Sequence, residues 1–525
     1  MAMTTGERLF IAGAARFLEV NTEYWKREPN VLDGDRWIYV FHPLHNQFIT
    51  TMLETVIAKG LQGKKGLPIA SIASGRRDEL MKLVDRLDAS FGIEQRYQPS
   101  YHDYNSAEIE TLADRMALET YGDKDALLQL TYRDVKLGDS IYDEILRRGN
   151  GGGRGEVFDC FDISQERYRF YIRNALALVD QAYEIFTERK PAYLVVSEYF
   201  YTRGLYANVA SILGAKIVIP LTDTPDIMVQ IDPDKYLLSD VMYSDILKVQ
   251  KEKCMEEFQP TGERQDDLFV MSTGTDETEQ AVTWKGRKNV LILPHSLSDS
   301  PREVCRHRVY RDYCEWLLGT IKIIKEIPDV NWFIKEHPWA AYYRQENFVR
   351  SVFERNKTEN IYWLNKEFSG MRIKDIADCV LVASGDAGLE YWAYGIPTVT
   401  TGDAYYCDWG VSYQARSLEE YEGMLKNISC LKKPPEQSVD FAKRCIEAYK
   451  NWHKTGDDFS KAFYHFRMEE LSVWKAAGGA FGVSDWANEQ LGQIVSGFCE
   501  RLVELLGESG WKTSALYQLT FCTNM

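Results

Sequence analysis

The chain has 525 residues, 45% of them hydrophobic and 27% charged, with 62 lysines and arginines against 78 aspartates and glutamates. That length calls for two domains, the net charge of −16 excludes nucleic-acid binding as the main activity, and no apolar run of about 18 residues offers a membrane span. Ten cysteines lie scattered without CxxC or metal-like His spacing, and no apolar stretch follows the opening MAMTTGERLF, so a reduced, cytoplasmic protein is expected and the Asn427-Ile428-Ser429 sequon carries no meaning.

Residues 1–35 read as a helical opening segment packed on the first domain. The first strand is RWIYVFHP at 36–43; a helix at about 45–59 and the strand LPIASIASG, ending at Gly75, complete a βαβ opening. His42 and His45 stand at the end of that first strand, where open α/β sheets present ligand-facing residues; satisfying loop groups is the alternative. Residues 76–150 alternate charged helices with little strand character. The run GNGGGRGE at 149–156 reads as a flexible loop, either a lid over an acceptor or a tolerated surface loop.

After a helix at about 164–190, YLVVS is a buried strand with Glu198 just past its end, Arg203-Gly204 opens the next helix, and KIVIP is a further strand. A carboxylate at such a strand end can take a proton from a hydroxyl as a bond forms to its oxygen, or attack as a nucleophile. Pairing with Arg203 to stiffen the turn is the structural alternative for Glu198. Asp223 and Asp226 are second choices for the same role. Residues 256–288 are polar, acidic and aperiodic and read as a linker.

The second domain opens with the apolar strand at 290–293, which ends in Pro294-His295-Ser296, with Asp299 close behind. A helix at about 309–325 leads to the strand NWFI, whose end presents Lys335, Glu336 and His337 before a proline. A helix near 343–355 and the strand IYWL follow. The run CVLVA then ends in Ser384, Gly385, Asp386 and Gly388, and the helix-compatible GLEYWAYG, carrying Glu390 in its first turn, precedes the strand TVTT. Small residues in such a βα turn let backbone N–H groups approach an anion. Ligands bind outside the carboxyl ends of parallel strands, so His295, Ser296, Lys335, His337 and Ser384 are expected to share one crevice. From about 435 the chain is helical and aromatic, with Trp452, Trp474, Trp486 and Trp511; the acidic Glu500, Glu504 and Glu508 disfavour a membrane-surface role for its end.

The pairing of Lys335-Glu336-His337-Pro338 with the Ser384-Gly385 strand-helix turn resembles bacterial capsule and surface-polysaccharide glycosyltransferases of GT-B architecture, of the Kdo-transferase or polysialyltransferase-like kind that use CMP-activated sugars. The chain departs from that pattern at Asp386, where many relatives carry Ser or Thr. The resemblance implies an α/β fold of two Rossmann-like doubly wound domains facing across a cleft: an acceptor-side domain at 1–255, the linker 256–288, a nucleotide-sugar-binding domain at 289–450, and a helical segment at 451–525 that crosses back to the first domain. It implies transfer of an acidic sugar, Kdo or a sialic-type nonulosonic acid, to a growing surface glycan or glycolipid, without a metal, at the inner face of the cytoplasmic membrane or in a polysaccharide assembly complex.

In that scheme Glu198 and His337 are catalytic. Lys335, His337, Ser384, Gly385, Gly388, Glu390, His295 and Ser296 hold the nucleotide sugar, with Glu390 on the ribose, and Arg203, Asp299, His42 and His45 stand behind them. Gly138, Asp139 and Asp143 resemble family scaffolding near the acceptor, and TGDAYYCDWG resembles a loop that closes on donor or acceptor. A CDP-alditol phosphotransferase of the teichoic-acid type, a UDP- or GDP-sugar donor, and a glycan-binding scaffold remain as alternatives.

Overall fold

The run WIYVF at 37–41 is apolar at every position, the pattern of a parallel strand covered on both faces. The computed structural model describes residues 5–27, 33–42, 48–73, 79–99, 106–149, 158–197, 199–220, 228–231, 286–299, 302, 309–337, 340, 343, 345–364, 368, 373–402, 404, 406, 409–455, 457–476 and 485–518. They form two compact units: one from the described residues of Met1–Ile141, Gln165–Met242 and Trp452–Met525, the other from those of Tyr142–Ser164 and Tyr243–Asn451.

The first unit is built on strands β1 (Arg36–His42), β2 (Ile69–Ala73), β3 (Gln95–Tyr97), β4 (Lys190–Val195), β5 (Lys216–Pro220) and β6 (Met228–Ile231). Their order is β3-β2-β1-β4-β5-β6, parallel except for β6, which runs antiparallel to β5. Ile38 and Val40 face a core shared with helices α1 (Thr5–Trp25), α2 (Phe48–Lys65) and α3 (Glu79–Ser90). Tyr39 and Phe41 point the other way, onto Phe186 of helix α4 (Gln165–Glu188) and onto Tyr206. Both faces are thus covered, which is why the run carries no alternation.

Helix α1 lies along the Asp485–Glu508 helix, and a Cβ on Gly13 would stand 2.7 Å from the Ser496 Cα, so the absent side chain sets their closest approach. Buried Asn21 accepts from the indole N–H groups of Trp511 (2.7 Å) and Trp25 (3.1 Å) and donates to Ser90 (2.9 Å).

The second unit repeats the plan with β7 (Lys288–Leu293), β8 (Val330–Lys335), β9 (Ile361–Leu364), β10 (Cys379–Val382), β11 (Thr398–Thr400) and β12 (Tyr413–Gln414), all parallel, in the order β9-β8-β7-β10-β11-β12. Val290 and Ile292 belong to the core on one face, Leu291 to that on the other. Counted within each unit, both sheets have the order 3-2-1-4-5-6 of a Rossmann fold. The protein is therefore α/β, with two Rossmann-like doubly wound units.

The units differ from the sequence-based boundaries at residues 142–164, which group with the second unit. Their contacts explain this: both Asp143 carboxylate oxygens accept the Arg302 N–H at 3.0 Å, the Tyr142 hydroxyl donates to Asp312 at 2.5 Å, and Phe158 lies in the second core. The expected linker falls outside the described residues up to 285, and β7 has already begun at Lys288. Among the described residues no helix is long and apolar enough to cross a membrane.

Candidate functional site

In the second unit the strand order reverses between β7 and β10, and a doubly wound sheet opens a crevice outside the carboxyl ends of its strands at that point. Three chain segments leave the sheet there: His295-Ser296 after β7, Glu336-His337 after β8, and Ser384-Gly385-Asp386 after β10. The buried Ser296 hydroxyl lies 3.2 Å from His337 Nδ1, joining the first two. The rings of His295 and His337 are 5.8 Å apart at 31°. Tyr313 joins the third, since its hydroxyl is 2.9 Å from Ser384 Oγ while its ring stacks on His295 at 4.3 Å and 25°.

These groups are held from behind. The Leu297 N–H donates to Gln345 Oε1 (2.6 Å) and Gln345 Nε2 to Ser298 Oγ (2.8 Å), so a buried amide at the start of helix Glu346–Asn356 fixes the loop after β7. Asp299 closes the same turn through its N–H to Ser296 O at 3.0 Å. Tyr313 opens helix Tyr313–Ile324, which Asp312 caps by accepting the Glu315 N–H at 2.8 Å, and the Glu315 carboxylate reaches back to the Arg311 N–H. Hydroxyls and imidazoles converging at a sheet edge can donate to anionic oxygen, and imidazoles can stabilise a leaving group as its charge grows.

The other expected contacts are placed as follows. Lys335 is the last residue of β8 and only 3% exposed, a strand-end cation drawn inside rather than set on the rim. Gly388 serves packing: a Cβ there would stand 2.0 Å from the Tyr406 hydroxyl, which donates to Gly385 O at 2.6 Å. At Gly385 a Cβ would meet nothing nearer than His295 Cδ2 at 3.7 Å. Helix Ala387–Ala393 is two turns long, its N-cap Asp386 makes no side-chain cap bond, and Glu390 is buried within it.

In the first unit the corresponding reversal lies between β1 and β4. His42, expected to face a ligand, is instead completely buried, with Nδ1 2.8 Å from Glu54 and Nε2 3.2 Å from Asp88. Both ring nitrogens are engaged by protein carboxylates, because α2 and α3 bring acidic residues over the strand end. Burial pulls the ring's pKa down, and Asp88 and Glu54 outweigh it, pushing it up to about 10. Burial raises the Glu54 carboxyl, against its hydrogen bonds with His42 and Ser197. The other Glu54 oxygen accepts the Ser197 N–H at 2.8 Å and the Ser197 hydroxyl.

Glu198, His45, Asp223 and Asp226 lie outside the described residues, as does any Glu198–Arg203 pair. Arg203 sits half-buried in the 3-10 turn Tyr201–Gly204, where Tyr201 holds φ +58° and a Cβ on Gly204 would meet Tyr199 O at 1.9 Å. Gly138 packs against the Leu127 carbonyl, Asp139 is half-buried, and Asp143 holds the Arg302 backbone. Tyr313 was missed by the sequence reading, although Asp312-Tyr-Cys-Glu315 is a legible capping signature that starts the helix at Tyr313 rather than Val309.

No protein-family model matches the chain, and no curated protein does. Solved structures it is similar to include Thermosulfurimonas dismutans KpsC, beta Kdo 2,4 transferase, at 14% identity over 50% of this chain and 85% of that one, with a TM-score of 0.29. A glycosyltransferase from Rickettsia africae matches at 14% identity over 85% of this chain and 99% of that one, with a TM-score of 0.27. Methanocaldococcus jannaschii UDP-GlcNAc 2-epimerase in complex with UDP-GlcNAc and UDP matches at 12% identity over 79% and 99%, also with a TM-score of 0.27. Similarity of this size says nothing of activity.

Proposed function

We propose that the protein is a glycosyltransferase of GT-B type that moves an acidic sugar, Kdo or a sialic-type sugar, from a CMP-activated donor to a growing bacterial surface glycan. The observation that carries this reading is the meeting of Ser296 with His337, and of Ser384 with Tyr313 and His295, at the strand-order reversal of the second sheet. The resemblance of the Lys335-Glu336-His337-Pro338 and Ser384-Gly385 segments to CMP-sugar enzymes supports the donor. In this reading the hydroxyls of Ser296 and Ser384 orient the donor phosphate, and His337 meets the charge that grows on the departing CMP as the bond between the anomeric carbon and the phosphate oxygen breaks. Glu198 takes the proton of the acceptor hydroxyl as that oxygen bonds the anomeric carbon, or attacks the carbon itself, expelling CMP, and is displaced in turn by the acceptor oxygen. A metal is not required, so transfer persists in EDTA.

A melting experiment with CMP, CDP, UDP and GDP tests the donor class, since a nucleotide at 100 times its dissociation constant adds about 2.7 kcal/mol to stability. CMP is expected to raise the melt, and labelled sugar is expected to pass from CMP-Kdo or CMP-sialic acid to glycan. A shift with UDP or GDP alone refutes the CMP donor, and transfer from CDP-glycerol in place of a CMP-sugar refutes glycosyl transfer. Glu198→Gln and His337→Ala variants that leave surface glycan intact refute the enzyme and favour a glycan-binding scaffold.

A further inference from the structure

We infer that Tyr313 is a positioning residue of this site, acting on the bound nucleotide through Ser384 and His295; the inference rests on the reading of the site given above. Tyr313 is 4% exposed, so it serves the ligand at second hand. Its hydroxyl lies 2.9 Å from Ser384 Oγ. A serine hydroxyl that donates its one proton to a phosphate oxygen has lone pairs left to accept, and a phenol is the stronger acid of the two, so the Tyr313 proton goes to Ser384 and the Ser384 proton to the ligand. The same ring lies against His295 at 4.3 Å and 25°, which holds the imidazole plane.

Tyr313 owes its own place to backbone geometry. It is the first residue of a 12-residue helix whose cap, Asp312, also accepts the Tyr142 hydroxyl at 2.5 Å. One phenol on a fixed helix end thus aligns two groups that come from separate strand ends.

The test is titration calorimetry with CMP, or with whichever of CDP, UDP and GDP raises the melt, on Tyr313→Phe, Ser384→Ala and the double variant. Tyr313→Phe keeps the ring and is expected to weaken binding about fivefold, with the unliganded melting temperature nearly unchanged. In the Ser384→Ala background the same change is expected to have no further effect, because the group it acts through is gone. Tyr313→Leu also removes the stack, and its loss beyond that of Tyr313→Phe is expected to vanish in a His295→Ala background.

Binding unaltered by Tyr313→Phe, or Tyr313→Phe and Ser384→Ala effects that multiply, would overturn the inference and leave the site reading standing. Failure of the unaltered protein to bind any of the four nucleotides would overturn that reading and the inference with it.

Discussion

Replacing His42 by asparagine removes the one ring that separates Glu54 from Asp88 in the first unit. All three side chains are at least 99% buried, so the variant leaves two carboxylates facing each other out of water, and breaking a buried pair from one side costs about 3–5 kcal/mol. The ionisation of His42 gives a second measure. Its pKa rises from 6.5 to about 10, and at about 1.4 kcal/mol per unit this sets a ceiling near 5 kcal/mol. Burial of Glu54 offsets part of it, so about 3 kcal/mol is expected.

The unfolded ring gives up its proton near pH 6.5 and the folded one keeps it to about 10. Between these values the folded state holds more protons, so the stabilisation is complete below pH 6.5 and is lost as pH rises towards 10. Urea unfolding followed by tryptophan fluorescence at pH 6 and pH 9.5 should therefore show His42→Asn far less stable than the unaltered protein at pH 6 and close to it at pH 9.5. A gap that stays constant with pH, or one below about 1 kcal/mol at pH 6, refutes the charged-imidazole account.

Gly388→Ala should destabilise the second unit by about 1–3 kcal/mol through overpacking on Tyr406, and adding Tyr406→Phe, which removes the nearest atom, should recover part of that in a thermal melt. Asn21→Leu strips the acceptor from two buried indoles and should lower the unfolding free energy of the first unit by about 2–4 kcal/mol in urea. Ser296→Ala should weaken nucleotide binding about three- to tenfold by removing a phosphate-orienting hydroxyl that also lies against His337 Nδ1, and calorimetry should find a smaller but still measurable further loss when it is added to His337→Ala.

The central strands of both sheets were legible because parallel strands covered on two faces announce themselves as short β-branched runs such as IYVF and VLIL. Of the four sheet edges only IYWL was legible. Gln95–Tyr97 and Tyr413–Gln414 are too short to show a period. The hairpin of Thr131–Tyr132 with Val135–Lys136 turns on Arg133 and Asp134 at φ 49° and 65°, with none of the glycine that marks such turns. That His295, Ser296, His337 and Ser384 leave the sheet at one edge follows from connectivity, since each ends a parallel strand. Burial at those ends did not follow: His42 looked like a ligand contact because Glu54 and Asp88, 12 and 46 residues on, reach it only through tertiary structure.

The pairing of α1 with the Asp485–Glu508 helix bears on how the chain is made. Some 460 residues separate these partners, an interval of about 20–90 s at a ribosomal rate of 5–20 residues per second. For that time Ala14, Phe17 and Leu18 have the early part of their core, α3 included, but lack the late helix that completes it, whereas the second unit has all its described strands once Gln414 has emerged. The half of the molecule begun first is therefore the last to close. During translation the apolar side of its opening helix stays partly uncovered until that late helix arrives.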